Sequence, residues 1–364
     1  MAQMWSAAAF LMIIALLVHS AQAQGVNPKK ALFVFGDSLV DPGNNNYIAT
    51  IAKANFAPNG VDFPGGVPTG RFCNGRTVAD VITQKLSLPF LPAYLDPNTR
   101  GPAILGGINY ASAAGGILDG TGANYIGRLS MNTQIQYFQN TQQQFIQQLG
   151  PVAAKQVFAN SLYFFVIGSN DYINNYLQPS SQTARQYSPK QYEAVLVNEF
   201  SRQLTALYNL GGRKFAIFNV GPLGCIPSQL ANQRSPDGRC ITFINDYVQG
   251  FNGALRQQLT VLTARFPGST FVYGDAYSLV FDRVTNPGRY GLINVNSGCC
   301  GIGAFNGQLP CITGVSPCAA RNQYLFWDPF HPTDAVNVQL GNAFYTGGSP
   351  VISPMNIQQL AALP

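Results

Sequence analysis

The run ALFVF at residues 31–35 leads directly into Gly36-Asp37-Ser38-Leu39, and its reading decides the fold. Five aliphatic and aromatic residues in succession, with no polar alternation, suit a strand buried on both faces of a parallel sheet. Four further runs have the same character: PAILGGINY (102–110), SLYFFVIG (161–168), KFAIFNV (214–220) and STFVYGD (269–275). Helical patterns lie between them. Residues 75–86 follow Asn74 as a candidate cap, and 130–149 carry an amphipathic stripe that starts at Ser130. Ser188-Pro189 opens a helix to Leu210, with Gly211-Gly212 as the stop. Residues 241–265 form another, ended by Pro267-Gly268, and a last helix begins at Pro332. Alternating strand and helix predict an α/β fold built on a parallel sheet. No linker or repeat interrupts the chain, and the only biased tracts are Asn44–Asn46 and Gln142–Gln144. One domain over 24–364 is therefore expected.

Composition narrows the function classes. The 364 residues carry 21 Lys+Arg and 15 Asp+Glu, a net charge of +6, and only 10% are charged. No basic run exceeds the pair at Lys29-Lys30, so nucleic acid is not an expected partner. Near the start, AFLMIIALLV (9–18) is followed by Ala21-Gln22-Ala23. This block is shorter than the ~20 residues that span a membrane. It reads as a cleaved secretory signal peptide over 1–23, with no transmembrane segment after it. Cleavage removes His19 and leaves His331 as the one histidine, so neither a metal site nor a cofactor is expected.

The cysteines agree with export. Cys225 and Cys240 bracket a Pro/Gly-bearing loop and are natural disulfide partners. The adjacent Cys299 and Cys300 pair with Cys311 and Cys318 in one of two arrangements, both open at this level. Cys73 is left over as a free, buried thiol.

Four segments at strand ends carry reactive groups. Ser38 stands on the turn leaving the first strand, where it either presents its hydroxyl at the sheet edge or caps a helix. Asn170, in Gly168-Ser169-Asn170-Asp171, has an amide able to donate to an oxyanion or to stabilise a turn. The segment Asn109–Gly116 is rich in small residues that let a backbone N–H approach a ligand. In Asp328-Pro329-Phe330-His331, the carboxylate can fold back onto the imidazole. Together they supply a nucleophile, a base, an orienting carboxylate and oxyanion donors, the inventory of acyl transfer. No G-x-S-x-G elbow occurs, which disfavours an α/β-hydrolase.

The same residues carry a family resemblance. FVFGDSLVDPGNNNY (33–47), GRFCNGRTVADVI (70–82), GINYASAAGGILDGTG (107–122), VIGSNDY (166–172), FNVGPLGCIPS (218–228) and LFWDPFHPT (325–333) resemble the plant-type GDSL esterase/lipase family of the SGNH hydrolases. The resemblance implies a three-layer α/β/α sandwich with a five-stranded parallel sheet. It also implies Ser38 as nucleophile, Asp328 and His331 as its triad partners, and Asn170 as an oxyanion donor. A backbone amide among Ala114, Gly115 and Gly116 supplies the other donor. Ala113-Ala114 stand where many relatives have Gly-Gly. The implied activity is hydrolysis of carboxylic esters, of lipids or acylated wall components, by a secreted, extracellular monomer. Acyl transfer from the same acyl-enzyme and a catalytically idle, wall-associated binding protein remain as alternatives.

Overall fold

Strand β1 (Leu32–Gly36) is buried along its whole length because it has a neighbour on each side and helices over both faces. The computed structural model describes residues 30–364, so the leader expected over 1–23 lies outside the described residues. The other strands are β2 (Gly107–Asn109), β3 (Leu162–Val166), β4 (Lys214–Phe218), β5 (Thr270–Gly274), β6 (Asn294–Gly298), β7 (Tyr324–Phe326) and β8 (Ile352–Ser353). The longer helices are α1 (Val78–Lys85), α2 (Met131–Leu149), α3 (Pro151–Asn160), α4 (Pro189–Asn209), α5 (Thr242–Arg265), α6 (Ala276–Thr285) and α7 (Asp334–Thr346).

The main sheet has the order β2-β1-β3-β4-β5-β8. The first five strands are parallel, as the apolar runs predict. The sixth is a correction to the expected five: β8 adds antiparallel to β5 at the edge. Two residues are too short to show an apolar run. The pair β6–β7, a separate two-stranded parallel sheet, was likewise hidden, because Asn294–Gly298 is polar. The second predicted strand shrinks to Gly107–Asn109, since Gly101–Ile104 turns as a 3-10 helix around Pro102.

Alternation along the strands sends aromatic rings to both faces. Phe33 packs on Phe138 of α2 at 5.0 Å and Phe165 lies 6.1 Å from Phe200 of α4, which builds one helical layer. On the opposite face Phe218 meets Phe344 of α7 at 4.4 Å. Helix α1 crosses α7 closely; a Cβ on Gly341 would collide with Val81.

Helix starts follow capping chemistry. Ser130 and Ser188 cap α2 and α4 as expected, and Ser188 forms a capping box with Gln191. Asn74 does not cap α1. Thr77 does, and Asp80 completes the box. Asn74 instead accepts the N–H of Asp334 at the start of α7, which begins two residues after Pro332 with Thr333 as its cap.

Asp80 is doubly used. Besides the Thr77 N–H at 2.8 Å, it receives a bidentate pair from Arg71, with Nε at 2.8 Å and Nη2 at 2.7 Å. Both side chains are almost fully buried. Removing one partner strands the other charge in the interior, which costs about 3–5 kcal/mol. Asp80→Ala is expected to lower unfolding stability by that amount in urea titration. Arg71→Met/Asp80→Ala should recover part of the loss. Equal stability of Asp80→Ala and wild type would refute the role of this pair.

Candidate active site

The parallel strands end side by side, and the loops leaving them bring the reactive residues together. After Gly36 the chain turns sharply, held by Asp37 N–H on the Val166 carbonyl at 3.1 Å and Leu39 N–H on Asp37 Oδ1 at 3.0 Å. No helix starts at this turn, so Ser38 is not a cap. Its Oγ lies 2.8 Å from His331 Nε2. The other ring nitrogen, Nδ1, lies 2.8 Å from Asp328 Oδ1 and 2.8 Å from Oδ2. Asp328 and His331 are 5% and 7% exposed, so the pair is shielded from water while Ser38 stays partly open.

The loop 328–331 holds that geometry by its own backbone. Asp328 Oδ1 accepts the N–H groups of Phe330 and His331, each at 2.8 Å. Trp327 N–H reaches back to the His331 carbonyl at 2.7 Å. Behind it, Cys299 N–H bonds the Phe326 carbonyl and Cys300 N–H the Trp327 carbonyl. Disulfides Cys299–Cys318 and Cys300–Cys311 tie down that segment and resolve the arrangement that spacing left open. Cys225–Cys240 forms as expected, and Cys73 is free and buried.

Asn170 sits on a short helical turn after Gly168, whose φ of 118° needs glycine. One Nδ2 hydrogen is donated to the Gly115 carbonyl at 2.9 Å, and Oδ1 accepts from Asn174 at 2.6 Å. The second Nδ2 hydrogen has no acceptor among the described residues, and Asn170 borders the cavity. Gly115 turns its N–H onto the Ser112 carbonyl at 3.0 Å, and neither it nor Gly116 borders the cavity. Ala114 does border it, and its N–H has no acceptor among the described residues. It holds this place at φ 64°, a left-handed conformation that costs a non-glycine residue about 1–2 kcal/mol. The Ser38 N–H is similarly without an acceptor among the described residues.

Several residues that position this loop escaped the sequence reading. The Asn44–Asn46 tract, a biased run on paper, is structural. Asn44 Nδ2 donates to the Asn109 and Ala111 carbonyls at 2.9 and 2.8 Å. Asn45 Nδ2 donates to the Ala113 carbonyl at 3.1 Å, and its Oδ1 accepts from Ser112 Oγ at 2.6 Å. Asp41 accepts Ala113 N–H at 3.0 Å. From the other side Asp171 accepts from Ile117 N–H, Leu118 N–H and Thr121 Oγ1. Gln134 clasps both main-chain groups of Gly36. Only Asp171, beside Asn170 in the same turn, had a neighbour that could have pointed to it.

The site opens into a cavity of about 660 Å³ with a mostly apolar lining. Among the described residues no group of three or more His, Cys, Asp or Glu is placed to hold a metal ion, and no helix is long and apolar enough to cross a membrane.

Residues 32–344 match the model of the GDSL-like lipase/acylhydrolase family. The chain belongs to that family. One GDSL esterase/lipase of Arabidopsis thaliana is 47% identical over 95% of this chain and 89% of its own length. GDSL esterase/lipase 7 of the same plant is 46% identical, covering 92% of each chain. A third is 45% identical over 99% of this chain and 98% of its own.

Asp37, next to Ser38, is a buried acid. It is 1% exposed, and Oδ2 has no hydrogen-bond partner among the described residues. Burial raises its carboxyl to about 7, although the Leu39 N–H and nearby His331 pull the other way. The folded protein therefore keeps a proton on Asp37 up to about pH 7, whereas the unfolded chain releases it near 3.8. Between those values the folded state binds more protons, so this group's contribution to stability declines as pH rises and is least favourable above 7. Asp37→Asn is expected to raise the melting temperature relative to wild type more at pH 8 than at pH 4. An equal offset at both pH values would show that Asp37 does not carry this penalty.

Proposed function

We propose that this protein is a secreted serine esterase that hydrolyses carboxylic esters through an acyl-enzyme on Ser38. The observation that supports it most is the unbroken Asp328–His331–Ser38 chain, with a heavy-atom separation of 2.8 Å at each link. A serine hydroxyl is a weak nucleophile until a base removes its proton. His331 Nε2, in reach of the hydroxyl, takes that proton as Ser38 Oγ bonds to the ester carbonyl carbon. Asp328 holds the tautomer in which Nδ1 carries hydrogen, and it stabilises the imidazolium that forms. The carbonyl oxygen becomes an oxyanion facing the free hydrogen of Asn170 Nδ2 and the N–H groups of Ala114 and Ser38. Collapse of this intermediate breaks the bond to the alcohol oxygen, which leaves with the proton from His331. A water then repeats the cycle: His331 removes its proton, its oxygen attacks the acyl carbon, and the acid leaves as Ser38 regains its hydrogen.

Membership in a family whose relatives are named esterase/lipase supports the reaction class. Three disulfides support export, because such bonds persist in oxidising compartments. The leader over 1–23 and a single domain from residue 24 complete the proposal.

Ser38→Ala is expected to abolish both ester hydrolysis and labelling by a fluorophosphonate, with circular dichroism unchanged. A wild-type protein that never labels would exclude the enzyme reading, and an active Ser38→Ala variant would exclude this nucleophile. Asn170→Ala is expected to lower kcat by about 10²–10³ with little change in KM, since its bond strengthens only in the transition state. A rise in KM alone would instead assign Asn170 to ground-state binding.

A further inference from the structure

One row of residues crosses the sheet just below the candidate nucleophile. Gly36 pairs with Val166, Val166 with Phe218, and Phe218 with Gly274. Partners in a parallel register point to the same face, so all four address the space between the sheet and α7. The two central residues carry side chains and the two outer ones do not. Protein interiors are packed to near crystal density, yet the cavity that begins at Ser38 extends into this space. Its walls there are Val166 and Phe218 from the sheet, Val280 from α6, and Leu340 and Phe344 from α7.

Gly274 explains how the space stays open. Its backbone is not left-handed, so conformation does not demand glycine there. Room does: a Cβ at 274 would stand well inside van der Waals contact with Cδ1 and Cε1 of Phe218. The Phe218 ring packs against the β5 backbone at Gly274 because no side chain projects there. Phe164 at 4.6 Å and Phe344 at 4.4 Å flank the ring. Because Phe218 itself borders the cavity, a side chain at 274 would press the ring toward that space.

The chemistry of the slot selects its occupant. Two amides border it, and each is tied back to the protein. Asn337 Nδ2 donates to the Arg76 carbonyl at 2.9 Å, and Asn219 Nδ2 donates to Tyr273 Oη at 2.7 Å and Asp275 at 2.9 Å. Lys53, the one lysine at the cavity among the described residues, belongs to the loop on the other side of the site, and its Nζ donates to the Asn46 carbonyl. The walls named above carry no charge and no hydroxyl, so hydrocarbon suits them better than a sugar ring or a carboxylate. We propose that this interlayer slot is the subsite for an unbranched aliphatic acyl chain of medium to long length, and that the Gly274–Phe218 stack sets its depth. The proposal rests on the esterase reading of Ser38 and narrows it: acetyl esters lack the methylene groups the slot is shaped to bury.

The test measures kcat/KM for 4-nitrophenyl esters from acetate to palmitate, which share one leaving group. Each methylene buried should raise kcat/KM roughly fourfold until the slot is full. Gly274→Ala should lower the decanoate-to-acetate ratio at least tenfold. Val280→Phe, which fills the slot from the opposite wall, should do the same and serves if Gly274→Ala does not fold. Binding of cis-parinaric acid, followed by fluorescence, reads the slot without catalysis. Ester hydrolysis with an acetate preference, or with ratios unmoved in both folded variants, overturns the subsite and leaves the esterase. Parinarate binding that weakens in the variants, with no hydrolysis of any ester, supports the subsite and overturns the esterase. Loss of both overturns both.

Discussion

A buried amide and carboxylate network joins the loop after β1 to the loop after β2, and the geometry of the site depends on it. Asp41, Asn44 and Asn45 are essentially inaccessible to water, and so are Asn109, Ser112 and Ala113. Groups of this kind are tolerated in an interior only when their hydrogen bonds are made. Here they are made to the main chain of 109–113, so that loop has one conformation rather than several. Asp171 fastens the continuation at 117–121 to the exit of β3. Ala114 is suspended between the two clamps. Its left-handed backbone and acceptor-free N–H are consequences of that suspension.

Strain and uncompensated polarity both occur along the wall of one cavity. Ala114 sits in a conformation that glycine would adopt freely, and Asp37 keeps a carboxylate oxygen without a partner. Each costs stability, and each lies within the frame that the network and the disulfides hold rigid. Backbone strain persists where surrounding structure over-determines it, and such places are commonly functional. The loop 328–331 shows a different economy. Its carboxylate, imidazole and backbone satisfy one another within four residues, so Asp328 and His331 arrive as a unit, and the sheet has only to bring Ser38 to them.

The layered architecture also explains how an apolar slot can exist beside a polar centre. Strand ends place main-chain turns and polar side chains at one edge, while the sheet face immediately below remains hydrocarbon. Glycines at both ends of one cross-strand row leave that face uneven. Helix α7, held by Asn74 and Arg76 through Asp334, spans the gap.

Much of this was legible in the residues themselves. Continuous apolar runs suit strands buried on both faces, so β1, β3, β4 and β5 and their parallel direction follow from the sequence, while their order across the sheet does not. Equally legible are α2 and α4, whose caps and stops are local chemistry, and α5, which stops before Pro267-Gly268 but starts without a side-chain cap. Asp328 and His331 are three residues apart, which made their contact foreseeable, and Ser38 and Asn170 stand where strands must end. Tertiary structure alone decided the rest. The edge strand β8 and the polar strand β6 exist because a neighbour offers hydrogen bonds, which no periodicity records. The pairing of Cys299 with Cys318 and Cys300 with Cys311 depends on which way the loop between them folds. The cap of α1 moved to Thr77 because Asn74 was claimed by Asp334, 260 residues away. Ala114, rather than either glycine beside it, borders the cavity because Asp41 and Asp171 pull on the loop from opposite sides. A sequence states what each residue can bond; it does not state which distant partner will be within reach.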